Sequence, residues 1–167
     1  MIVTALLPAL LAAVPAVATS TQTIDPALGT GSGSLCVLPP KQQKAFANLF
    51  IPAKSGTATH KTVRRRLSAS STEVRRQVAF AKPAQWNGLR LLSAEHRSVT
   101  NEESEGMEER TLVVDASPSM LRQMLRGRGI VVPLAPAFLR IDIEPYGGAA
   151  QIKPVQGGAA LSCAWDA

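Results

Sequence analysis

Residues 139–165 read LRIDIEPYGGAAQIKPVQGGAALSCAW, and the reading of this stretch decides the fold. Leu139, Ile141 and Ile143 alternate with Arg140, Asp142 and Glu144, the period-two pattern of a half-buried strand. Pro145-Tyr146-Gly147-Gly148 turns the chain, Ala150 and Ile152 resume the pattern, and Gly157-Gly158 turns it again. Leu161, Cys163 and Trp165 then share one face of a final strand. Two glycine turns between short alternating runs predict an antiparallel meander. Asp142 and Glu144 fall together on its outer face, where they suit surface ion pairs better than paired-carboxylate catalysis.

Working outward, Ser117-Pro118-Ser119 opens a helix: serine suits the cap and proline the first helical position. Met120, Leu121, Met124 and Leu125 form its apolar stripe, and Gly127 and Gly129 stop it. Leu89–Val99 and Arg110–Val114 read as strands joined by a polar loop, 100–109, that carries five glutamates. These glutamates lack the alternating ligand spacing of a calcium loop and read as a solvated hairpin tip. The stretch 57–81 satisfies two periods, because Val63/Leu67 and Val74/Val78 are four apart while Val63-x-Arg65 and Val74-x-Arg76-x-Val78 alternate. The break Ser68-Ala69-Ser70-Ser71-Thr72 favours a hairpin over a helix. Pro39-Pro40 starts a short helix in which Ala45, Phe46, Leu49 and Phe50 share a face, and Pro52 ends it. The fold class expected is α+β: a largely antiparallel sheet with a C-terminal meander and one principal helix packed on it.

The chain has 167 residues with 7 aromatics among them, so its core is mostly aliphatic. So few aromatics exclude a stacking platform for single-stranded nucleic acid, and no second long apolar run exists for a polytopic membrane protein. Residues 2–18 carry no charge and end in Ala16-Val17-Ala18, the small-x-small pattern of a signal-peptidase site. The expected organisation is a signal peptide over 1–18, a Thr/Ser/Gly-rich flexible linker over 19–34 and a single domain over 35–167. The expected location is periplasmic or secreted, after bacterial-type export. Cys36, preceded by Leu35, does not fit lipid attachment. Cys36 and Cys163 are the only cysteines, and an even count in an exported chain favours a disulfide between them.

The net charge of +6 averages unlike segments: residues 41–90 carry +10 and residues 91–110 carry −4. Lys61, Arg64, Arg65, Arg66, Arg75 and Arg76 concentrate the positive charge and are the candidate anion-binding residues. They face either an external anion or the chain's own glutamates. No Gly-x-Ser-x-Gly, Ser-x-x-Lys, P-loop or His-Glu-x-x-His motif occurs. His60 and His96 are isolated in sequence, and no catalytic residue and no cofactor is assigned.

Asp115-Ala116-Ser117-Pro118-Ser119 follows an apolar strand and opens the helix. It resembles the Asp-x-Ser-x-Ser metal site of von Willebrand factor type A domains. The resemblance spans eight residues, 113–120, and implies Mg²⁺ ligation by Asp115, Ser117 and Ser119. Only 48 residues follow Ser119, no threonine follows Thr111, and Pro118 stands where that family has a small residue. Helix capping accounts for the same residues. The function expected is therefore a non-enzymatic envelope or periplasmic protein that binds an anionic envelope polymer, lipid headgroups or another envelope protein through its Arg-rich segment. The alternatives are a small metal-dependent or hydrolase-like enzyme and a structural accessory subunit docking through the helix at 117–127.

Overall fold

The computed structural model describes residues 22–23, 44, 46–52, 58–86, 88–101, 106–127, 129–143 and 146–166. They form β1 (Gln22–Thr23), β2 (Ala58–Arg66), β3 (Ser71–Trp86), β4 (Leu89–Asn101), β5 (Met107–Val114), α1 (Pro118–Arg126), β6 (Leu139–Ile143), β7 (Tyr146–Val155) and β8 (Gly158–Asp166). All eight strands join one sheet, in the order β1-β3-β4-β5-β8-β7-β6, with β2 also on β3. Every pairing is antiparallel except the two-residue parallel contact of β1 with Ala84 and Gln85.

The C-terminal meander forms as its alternation dictates. β8 closes it by pairing with β5, so that Leu161 stands between Leu112 and Ile152, and Cys163 between Arg110 and Ala150. The ambiguous stretch resolves into the β2–β3 hairpin, with Leu67–Ser70 as its turn. Its valines satisfied the helical period by coincidence: Val63 on β2 is 41% exposed and belongs to no core stripe. β3 and β4 carry register shifts at Ala79/Ala84 and Leu91/Ser93, and Pro83, which has no N–H to give the ladder, falls in the first.

Gln22 and Thr23 form β1 along the part of β3 that extends beyond β2. One expectation needs correction. Glu108 and Glu109 are not part of a solvated tip; β5 begins at Met107 and carries both on paired strand, half-buried. Cys36 and residues 1–18 lie outside the described residues.

One face of the sheet carries the core. Val78, Trp86, Leu91, Ala94, Leu112, Val114, Ala150, Ile152, Ala159 and Leu161 pack there against Leu121 and Leu125 of α1 and against Ile130 and Val132. The α1 stripe works as its spacing requires, with Leu121 and Leu125 fully buried. Ser117 Oγ accepts the Met120 N–H at 3.2 Å, and Gly127 is the C-cap. The other covering piece is a helical turn at Phe46–Asn48 whose Phe46 is buried. It lies over the β2–β3–β4 end of the same face.

Candidate functional site

Register divides the six candidate cations between two faces, because cross-strand partners point the same way and neighbours along a strand point oppositely. Arg64 pairs with Val74, Thr62 with Arg76 and His60 with Val78, and Arg76 in turn with His96 on β4. Arg64, Arg66 and Arg76 therefore share the core-bearing face. Lys61, Arg65 and Arg75 point to the opposite face.

That opposite face is a charge ladder. Arg75 lies 3.3 Å from Glu73 and 3.4 Å from Glu95, and Arg97 bridges Glu73 and, at 3.5 Å, Glu109. Gln77 donates to Glu95 at 2.6 Å, and the hydroxyls of Thr111 and Ser162 meet at 2.7 Å. Glu73 is buried at the centre. The hydrogen bond from Arg97 is the main cause that holds its carboxyl below the usual value. The charges of Arg97 and Arg75 add to that, against the opposing effect of burial. The same bond raises Arg97. Beside the ladder a half-open groove of about 360 Å³ is floored by Ala79, Ser93 and Val113 and rimmed by Lys61, Gln77 and Glu95.

On the core-bearing face Arg110 sits half-buried under the Phe46–Asn48 turn. Its guanidinium lies 5.1 Å from the Phe46 ring centroid and 4.6 Å from that of Trp165, a cation held between two π faces. Burial pulls its pKa down and the charge of Glu108 opposes this. His96 hydrogen-bonds Glu108 through Nε2 and packs edge-on against Phe46. Arg76 Nη1 donates to His96 Nδ1 at 3.4 Å. Burial pushes the Glu108 carboxyl up. The hydrogen bond and charge of His96, a hydrogen bond from Ser98 and the Arg110 charge outweigh it, and Glu108 titrates below its ordinary value. His60 Nε2 donates to the Leu49 carbonyl at 3.0 Å. Both histidines thus clip the 46–50 segment to the sheet.

The six cations consequently differ. Arg75 is paired and Arg76 is half-buried on His96. Lys61, Arg64 and Arg65 are exposed on β2 with no carboxylate in ion-pair range among the described residues. Arg66 is exposed too, and clasps its own turn through the carbonyls of Ser68 and Ala69 at 3.1 and 2.8 Å. Among the described residues β2 pairs only with β3, which leaves its other backbone edge without a described partner.

The remaining candidates do not converge. Asp115 lies 3.6 Å from Arg90, and the Ser117 hydroxyl is occupied as the α1 cap. Among the described residues no three His, Cys, Asp or Glu side chains come close enough to hold a metal. Cys163 is buried on β8 beside Arg110 and Ala150, and no described cysteine is a free thiol. No described helix is long and apolar enough to cross a membrane. Sequence reasoning missed the Glu73–Arg97–Glu109 ladder and the Arg110 sandwich. The ladder needs the register of β3, β4 and β5, and the sandwich needs the pairing of β5 with β8 and the docking of the Phe46 turn; no single stretch of sequence contains either. Comparison with known proteins yields no match among family models, curated proteins or solved structures.

Proposed function

We propose that this is an exported, non-enzymatic binding protein of the cell envelope, which holds an anionic envelope component through β2. One observation carries the reading. Lys61, Arg64, Arg65 and Arg66 stand exposed on an edge strand with no ion pair among the described residues, whereas Arg75 is consumed by Glu73 and Glu95. An unneutralised basic edge concentrates polyanions by its field. The same charges keep that other backbone edge from pairing with another copy.

The reading is tested by retention on immobilised heparin or lipopolysaccharide. Retention should fall steeply as salt rises, and charge reversal of Arg64, Arg65 and Arg66 should abolish it. Retention indifferent to salt and to that variant overturns the proposal.

A further inference from the structure

We infer that the anion is a flexible phosphate-bearing polymer and that it binds on the core-bearing face of the hairpin, to Arg64, Arg66 and Arg76, rather than along both sides of β2. The inference rests on the anion-binding reading above and narrows it to one face and one ligand class.

The two faces of β2–β5 differ in what they leave uncompensated. On the ladder face, among the described residues, Lys61, Arg65, Arg75, Arg90 and Arg97 meet Glu73, Glu95, Glu109 and, just beyond β5, Asp115, so five cations face four carboxylates. Arg65 stands directly opposite Glu73. On the core-bearing face Arg64, Arg66 and Arg76 have no carboxylate in ion-pair range among the described residues, and Glu108 on that face pairs with His96. The excess positive charge therefore lies on the core-bearing face, although three candidate cations point each way.

The spacing suits successive phosphates. Arg64 and Arg66 are two residues apart on one strand, about 6.8 Å. Arg76 is a diagonal cross-strand neighbour of Arg64, about 7–8 Å away, because Thr62 is its direct partner. Guanidinium groups at such intervals match separate phosphate groups: Arg64 offers its whole fork, Arg66 the N–H groups not spent on its turn, and Arg76 those not spent on His96. The triad is not level: Arg64 and Arg66 are exposed and Arg76 is half-buried one strand inward. A planar bilayer would reach the outer pair and miss Arg76. A flexible chain can follow the step down from β2 to β3.

The experiment uses the full exported chain, with glycerol phosphate oligomers as the polymer probe and mixed phosphatidylglycerol–phosphatidylcholine vesicles as the bilayer probe. Arg64→Gln/Arg66→Gln is compared with Lys61→Gln/Arg65→Gln, which removes the same charge from the opposite face. The first should weaken oligomer binding about tenfold. It should also flatten the dependence of log affinity on log salt by about 1.4, at about 0.7 per phosphate contact. The second should change binding less than twofold. Arg66 also clasps its turn, so Arg64→Gln alone, at a side chain with no hydrogen bond or ion pair among the described residues, repeats the test without that contact. Arg76→Gln should weaken oligomer binding and leave any vesicle binding unchanged. Equal losses from the two double variants overturn the face assignment while the anion-binding reading stands. No loss from either overturns both. Vesicle binding tighter than oligomer binding and indifferent to Arg76 overturns the ligand class.

Discussion

The Arg97 guanidinium on β4 donates through Nε to Oε1 of Glu73, its diagonal neighbour on β3. Glu73 also accepts from Arg75, and Arg97 also reaches Glu109, so Arg97 on β4 ties β3 and β5 together across the sheet face. Removing one partner of a shared pair costs more than the pair itself contributes, because the other charges lose their counterion. Glu73→Gln should lower the melting temperature by several degrees. Arg97→Met in the Glu73→Gln background should cost less than it does alone. Thermal melts of the four proteins in that cycle measure the coupling. Additive losses would show that the ladder is only a set of independent surface contacts.

Acid should loosen the same sheet. The carboxyls of Glu73 and Glu108 both titrate below their ordinary value of 4.5 in the folded protein. A carboxyl lowered in this way stabilises the fold above its unfolded pKa and loses that contribution as pH falls through the folded one. Stability should therefore hold from neutral pH to about 5 and decline progressively below about 4.5. Glu108→Gln should make that decline shallower. Its own share is no more than about 1 kcal/mol, because the site is half-exposed and solvent screens it. Urea titrations from pH 7 to pH 3 read both effects, and a decline unchanged by the substitution counts against the His96–Glu108 pair.

The β7–β8 turn depends on glycine at two adjoining positions for different reasons. Gly157 has φ +80°, a left-handed conformation that costs other residues about 1–2 kcal/mol. Gly158 is close-packed, because a Cβ there would drive into the Val114 carbonyl of β5. Gly157→Ala should cost about 1 kcal/mol, and Gly158→Ala about 1–3 kcal/mol. Denaturant midpoints would rank them; equal or negligible losses would contradict the close approach of β8 to β5.

The two cysteines are expected to form one bridge. Intact mass with and without reductant should differ by two hydrogens, and a chain expressed with the proposed signal peptide should lack residues 1–18. A Cys36–Cys163 bridge closes most of the domain, so its loss should cost about 4–5 kcal/mol in the chain-entropy model. Two free thiols in the oxidised sample would dispose of the staple, and a mass that retains residues 1–18 would dispose of the signal peptide.

The meander and α1 were legible in sequence because their large apolar side chains fall on a single face, and such a face leaves its period in the order of residues; the opposite face of β8 is also buried, but carries only Ala160 and Ser162 there. Ile152 and Leu161 on one side of the sheet, and Leu121 and Leu125 on the helix, are all fully or nearly fully buried. The hairpin at 57–81 was less legible because β2 is an edge strand that buries little, so its pattern is not a core pattern. Glu108 and Glu109 were misplaced for a related reason. A glutamate run before a strand reads as loop unless its partners are known, and these partners, His96 and Arg97, lie on the preceding strand.

The sequence by itself determined the meander, α1 and the concentration of positive charge in residues 41–90. Only the tertiary structure decided what that charge can do. A one-residue change of register moves a side chain to the other face of a sheet. The pairing of β2, β3 and β4 is what sends Arg75 to Glu73 and Glu95 and leaves Arg64 facing none among the described residues. Local propensity specifies which residues form strands. Which charges cancel is fixed by neighbours about 20 residues or more away in the chain, such as Glu95 for Arg75 and Glu73 for Arg97, and that information exists only once the strands have paired.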